Sequence, residues 1–217
     1  MTLTKEERLK KIKEQAQLMS DFDSLFGCSL LAGVDEAGRG PLAGPVFAAA
    51  VILPEGCVME GVNDSKKLSE KRREELFDII TEKAVAWAVA SEDEKVIDEI
   101  NIRNATYKAM NKAVNALSVR PEHVIIDGDA VKDMMLPHTC VIKGDAKSLS
   151  IAAASILAKV SRDRYLKELD KKYPEYQFAK HKGYGTKLHY EMIEKYGISP
   201  VHRKSFLKKI LETNNAK

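Results

Sequence analysis

The chain has 217 residues, 44% hydrophobic and 31% charged, enough for one sizeable core with room for an appended subdomain. Its apolar runs are too short to span a bilayer, and Met1-Thr2-Leu3-Thr4-Lys5 lacks the apolar centre of a signal peptide, so a cytoplasmic protein is expected, as a monomer. The net charge of +3 divides unevenly: residues 159–217 hold 15 Lys+Arg against 7 Asp+Glu (+8) and residues 1–158 hold 20 against 25 (−5), which suits a protein that grips a polyanion with its C-terminal quarter.

In chain order, Lys, Glu and Gln with apolar Leu9, Ile12, Ala16 and Met19 predict a marginal amphipathic helix over 4–19. Thr4 is its N-cap, and the segment reads as a solvated or loosely docked extension. Residues 30–35 and 46–53 are strand candidates joined by a Gly/Pro-rich link. A loop at 63–68 precedes a helix over 69–83 with Ser69 at its N-cap and Arg72 and Arg73 exposed. Residues 84–90 form a third strand. Ser91 or Asp93 then starts a helix interrupted at Asn101-Ile102 and resumed through 106–117. Residues 123–127 and 139–142 are short strands, the first of the buried parallel type. Residues 148–173 form one long helix whose first turns, Ser150 to Ile156, are small enough to pack closely on a sheet. Thr186 caps a helix through Tyr196, and 205–213 forms a last short one. The class is α/β, a mixed five-stranded sheet flanked by helices with a helical C-terminal appendage.

Cys28, Cys57 and Cys140 show no CxxC spacing and read as free thiols in a reducing compartment. The five histidines include no HExxH pattern, and His181 with His189 makes only a weak case for zinc. The acids are more telling. Asp35 and Glu36 follow the apolar run 30–34, Asp127 follows 124–126, and Asp145 lies just past 140–142. Carboxylates at the mouths of strands in one sheet make a negative cluster suited to divalent cations. The Gly38-Arg39-Gly40 turn that follows the first pair points to chemistry on a phosphodiester.

The segment 35–46, the loop Asn63-Asp64-Ser65-Lys66-Lys67-Leu68, Asp127-Gly128, Gly144-Asp145 with 148–156, and His181-Lys182-Gly183-Tyr184-Gly185-Thr186 together resemble ribonuclease HII, the bacterial type 2 ribonuclease H. The resemblance runs from Leu31 to Phe206 with all blocks in the family's order. It implies a ribonuclease H-like core over 28–175, after an N-terminal helical extension over 1–27 and before a helical substrate-binding subdomain over 176–217. It implies that Asp35, Glu36, Asp127 and Asp145 are catalytic and carry two Mg²⁺ or Mn²⁺ ions. Gly38, Arg39 and Gly40 would sense the ribonucleotide, their backbone close to a 2′-OH. Tyr184 would pack on the sugar at the RNA–DNA junction. Ser65 and Lys66 match a backbone-contacting loop, and Ser148 sits either as a plain N-cap or where a helix N-terminus could receive a phosphate.

The activity implied is endonucleolytic hydrolysis of the RNA strand in RNA–DNA hybrids, and incision 5′ to single ribonucleotides in duplex DNA, leaving 3′-OH and 5′-phosphate ends. The rivals are another nuclease of the same fold, such as ribonuclease HIII, and a nucleic-acid-binding protein without catalysis. The sister family has a glutamate where Asp145 stands, which favours HII, and four clustered carboxylates would only repel the ligand of a mere binder. The C-terminal residues from 207 onward show no sliding-clamp motif, and docking to other replication proteins is left open.

Overall fold

In the computed structural model, which describes residues 4–63, 65 and 68–208, five strands form one mixed sheet. Strands β1 (Leu31–Ala37), β2 (Val46–Ile52) and β3 (Ala86–Glu92) make an antiparallel meander. Strands β4 (His123–Asp127) and β5 (His138–Val141) add in parallel beyond β1, giving the order β3-β2-β1-β4-β5. The five expected strands are all present. β3 begins two residues later than its composition suggests, because the Ala84 N–H still bonds Ile80 O and closes the preceding helix.

Among the described residues there are six α-helices: α1 (Lys5–Ser24), α2 (Glu70–Lys83), α3 (Glu94–Asn115), α4 (Leu149–Lys172), α5 (Phe178–His181) and α6 (Lys187–Tyr196). Thr4, Ser69, Asp93, Ser148 and Thr186 each accept a hydrogen bond from a first-turn backbone N–H, so five of the starts are set by side-chain caps. Asn101, at φ 66° and ψ 163°, kinks α3 where the sequence places the interruption. Near the C-terminus Lys204–Phe206 form a 3-10 turn, and residues 209–213 of the expected 205–213 helix lie outside the described residues.

Both faces of the central strands are covered, which is why they are apolar throughout. Ala49 and Val51 of β2 pack with α2 and α4, while Ala48, Ala50 and Ile52 pack with α3. The closest approach is at Gly33. A Cβ there would lie 2.1 Å from the Ser150 carbonyl carbon and 2.4 Å from Ile151 N, so the α4 backbone rests directly on β1. The small residues opening α4 are the other half of this contact.

The N-terminal helix is better docked than expected. α1 runs on to Ser24, and Ala16 and Met19 are fully buried. Asp23 accepts hydrogen bonds from both the backbone N–H and the hydroxyl of Ser150, each at 2.8 Å. A carboxylate at the start of α4 also meets the positive end of the helix dipole.

The C-terminal segment is tied back across the β1–β2 link. Leu42 N–H donates to Gly183 O, Gly44 N–H to Val201 O and Arg203 N–H to Leu42 O, each at 2.8 Å. Behind these bonds lies a buried group of Tyr176, Phe178, His181, His189 and His202. Its partners fix the tautomers. His202 Nδ1 accepts from Ser199 N–H (2.9 Å), His202 Nε2 donates to His189 Nε2 (3.0 Å), and His189 Nδ1 donates to Tyr184 O (3.0 Å). His181 Nδ1 accepts from Gly183 N–H (3.1 Å) and its Nε2 donates to Tyr176 O (2.7 Å). All three rings are neutral with both nitrogens of each engaged in hydrogen bonds, so the histidines serve packing and not zinc binding.

Two predictions follow from these contacts. Gly33→Ala forces a methyl into the α4 backbone and is expected to lower unfolding free energy by about 3 kcal/mol or more, read from the urea midpoint at unchanged m-value. The histidines give a pH dependence. Burial, first, and neighbouring histidines hold His189 and His202 at about 4, against 6.5 for the free side chain. Below pH 6.5 the unfolded chain takes up protons that the folded one refuses. Stability is therefore full above 6.5 and lost as pH falls toward 4, by roughly 3 kcal/mol per histidine. His202→Asn, which takes up no proton, should lower stability at pH 7 and flatten that acid decline in urea titrations.

Candidate active site

The four acids sit at one end of the sheet. Val34 of β1 pairs with Ile126 of the parallel strand β4, which places Asp35 and Asp127 side by side at neighbouring strand ends. Asp127 pairs in turn with Val141 of β5, and the next turn, Gly144–Ala146, carries Asp145. The carboxyl ends of parallel strands are where open α/β sheets hold their ligands. Side chains alternate along a strand, so Asp35 points toward α4 and Glu36 toward α3. They can share a site because both lie at the strand's end.

Asp35 is costly to ionise. It is 5% exposed, and burial, followed by the charges of Glu36 and Asp127, raises its carboxyl well above the usual range. Hydrogen bonds from Ser155 and from the Glu36 N–H (2.7 Å) offset this in part. Like charges repel, and two further carboxylates turn to a donor: Asp127 Oδ1 accepts from Gly144 N–H at 2.6 Å, and Glu36 faces Arg39 at 3.5 Å. As placed, no three such side chains among the described residues converge on one ligand point. The donor set nevertheless fits hard divalent cations: only carboxylate oxygens, mutually repelling, with the first already disfavoured as an anion.

Beside the acids lies the turn 38–40. Gly38 has φ +99°, and a Cβ there would fall 2.1 Å from Arg162 Nε, so glycine is required both by conformation and by a buried neighbour. At Gly40 a Cβ would find only the Tyr184 ring, 3.7 Å away. Gly40 and Tyr184 therefore border one surface, and Tyr184 is 44% exposed there. Its backbone is pinned from both sides, its N–H donating to His181 O at 2.9 Å and its carbonyl accepting from His189. Arg39 is exposed, and its long contact with Glu36 holds it only weakly.

The remaining predicted residues divide. Ser65 is buried, and its hydroxyl is 3.0 Å from that of Ser155, the residue that bonds Asp35; it stands behind the acid. Ser148 is wholly buried, and its hydroxyl accepts from Ile151 N–H, which makes it the N-cap of α4. Lys66 lies outside the described residues. Arg73, expected to be exposed, is instead largely buried and donates to the carbonyls of Ser65 (3.0 Å) and Leu68 (2.6 Å) next to Asp163.

Two arginines were not singled out by sequence. Arg162 donates to Ala43 O, Pro45 O and Lys182 O, and Arg203 donates to Gly38 O, Arg39 O, Pro41 O and Gly44 O. Both are buried. Arg162 stands seven residues after Ser155 and fourteen after Ser148 on one helical stripe, a pattern readable in retrospect.

The family model for ribonuclease HII matches residues 32–209. The chain is 60% identical to a ribonuclease HII of Acetivibrio thermocellus over 185 residues, 85% of this chain and 72% of that one. It is 53% identical to a ribonuclease HII of Caldicellulosiruptor bescii over 211 residues, 97% of this chain and 99% of that one. Among solved structures, the ribonuclease H2 of Pyrococcus horikoshii superposes with a TM-score of 0.69 at 30% identity, covering 81% of this chain and 92% of that one. The mixed sheet with its flanking helices is thus the ribonuclease H fold, and no helix among the described residues is long and apolar enough to cross a membrane. With acids at the strand ends and a matching model over most of its length, the chain belongs to the ribonuclease HII family and is an endoribonuclease of the ribonuclease H type.

Proposed function

We propose that this enzyme hydrolyses the RNA strand of RNA–DNA hybrids and incises duplex DNA on the 5′ side of a single embedded ribonucleotide, leaving 3′-OH and 5′-phosphate ends. The observation that carries this reading is the adjacency of two unlike surfaces: a carboxylate cluster at the ends of β1, β4 and β5, and beside it a glycine turn bordered by an exposed, backbone-pinned tyrosine. Asp35, Glu36, Asp127 and Asp145 would hold two divalent cations, Mg²⁺ or Mn²⁺, which supply an activated water and neutralise charge on the departing 3′ oxygen.

The chain's own residues do the rest. Ser155 and the Glu36 N–H orient Asp35, and Gly144 N–H orients Asp127. Peptide groups at 38–40 approach the ribose where no Cβ intervenes, and a 2′-OH is the one feature that separates RNA from DNA there. Arg39, exposed and weakly held by Glu36, can pair with a phosphate in two-pronged fashion. Tyr184 presents a flat face that fits a deoxyribose on the 3′ side. Ser65 and Ser148 support the site from behind. The extension 1–27, the core 28–175 and the substrate-gripping segment 176–217 are the division of labour in this proposal, with the basic residues of the last supplying phosphate contacts.

Asp127→Asn keeps an oxygen that can accept from Gly144 N–H but loses a negative ligand. Turnover is expected to fall by at least about a hundredfold while hybrid affinity holds or rises, since phosphate then meets less repulsion. Turnover within about threefold of wild type would remove the two-ion assignment.

Recognition is tested at the turn. Gly40→Ala adds a methyl in ordinary contact with the Tyr184 ring and introduces no backbone strain. It should reduce kcat/KM on both a single-ribonucleotide duplex and an RNA tract, because it narrows the approach to every scissile ribose. Tyr184→Ala should act mainly on the single ribonucleotide, since within an RNA tract the next sugar is not deoxyribose. Equal losses for Tyr184→Ala on the two substrates would reduce the tyrosine to a general contact.

A further inference from the structure

Arg203 is fully buried and spends its guanidinium on one stretch of chain. Nε donates to Gly44 O (2.9 Å), one Nη to Arg39 O (2.9 Å) and Pro41 O (2.8 Å), and the other Nη to Gly38 O (2.7 Å). Four carbonyls of a seven-residue turn thus converge on one side chain, and the Arg203 N–H itself bonds Leu42 O. Arg162, packed against Gly38, takes the carbonyls of Ala43 and Pro45.

The direction of those carbonyls matters more than their number. A trans peptide is planar, with its C=O and the following N–H pointing opposite ways. Drawing Gly38 O and Arg39 O inward onto Arg203 turns the N–H groups of Arg39 and Gly40 outward, toward the surface bordered by Tyr184. A lysine could not do this: its ammonium is a single point on a flexible stem, whereas the planar fork presents five donors in fixed directions.

We infer that Arg203 is a positioning residue for ribose discrimination, holding the 38–44 turn so that its Arg39 and Gly40 N–H groups face the sugar. This rests on the reading of 38–40 as the ribose-sensing turn. The bonds of the Arg203 guanidinium among the described residues go to backbone carbonyls of the turn, so its effect falls on selectivity and leaves the carboxylate site as it is.

The test compares wild type with Arg203→Lys and Arg203→Ala by steady-state competition. The readout is the ratio of the inhibition constant of an all-deoxy duplex to the KM of the same duplex carrying one ribonucleotide. The expected result is a fall of at least tenfold in that ratio for both variants, through a raised KM, with the all-deoxy inhibition constant unchanged. Mn²⁺ affinity, titrated on the protein without nucleic acid, should stay within twofold. Millimolar methylguanidinium should partly restore the ratio in Arg203→Ala, and methylammonium should not. If Arg203→Ala fails to fold, Arg203→Lys decides alone. An unchanged ratio in a folded variant, or equal losses on the two duplexes, would overturn the positioning role while leaving the turn's own role standing. A wild-type ratio near one would instead remove ribose sensing by the turn, and this inference with it.

Discussion

The contact on which the rest of the structure depends is the one between the α4 backbone and β1 at Gly33. Because no side chain separates them, α4 lies about as close to the sheet as a helix can, and everything it carries is placed relative to β1. Ser148, Ser155 and Arg162 recur at intervals of seven and form one stripe. The first caps the helix, the second bonds Asp35, and the third packs under Gly38. From a neighbouring face Asp163 meets Arg73, whose guanidinium holds the carbonyls of Ser65 and Leu68. One helix therefore sets Asp35, the turn at Gly38 and the loop at 65–68 in a common frame. A change in its height over β1 would displace all three together.

Against that rigid frame the site itself is unfavourable to folding. Asp35 is buried beside two like charges, and its carboxyl is disfavoured as an anion for that reason. A protein selected for stability alone would place an apolar residue there. The carboxylates persist because neighbouring donors are fixed by secondary structure. Gly144 N–H belongs to the turn after β5, the Glu36 N–H to β1, and Ser155 to α4. Such strain at a site, offset by the surrounding fold, is what chemistry that needs concentrated charge demands.

Much of this was legible in the sequence, and the exceptions have a common cause. Strands, caps and the α3 kink follow from local signals: apolar runs, a Ser, Thr or Asp before a helix, an Asn in left-handed backbone. The placement of the acids follows too: Asp35, Glu36 and Asp127 end the apolar runs that become β1 and β4, and Asp145 lies in the turn just past β5. Docking of α1 was not visible, since its two buried apolar residues, Ala16 and Met19, are too few to make a strong period, and Asp23 pairs with Ser150 far along the chain. Arg73, Arg162 and Arg203 were equally hidden. An arginine that binds backbone carbonyls has no partner residue to search for, because every residue carries a carbonyl. Only the fold shows which ones converge.

That same property bears on why arginines lie beneath the turn at all. Neither Arg162 nor Arg203 forms an ion pair among the described residues. Burial lowers both, and Arg203, pressed also by Arg162, comes down to about 9. Carboxylate partners would relieve that cost, but they would also cancel the charge. Carbonyl dipoles satisfy the N–H groups and leave the net positive charge in place. The result is a positive potential under the 38–44 turn, a short distance from the negative one at the strand ends.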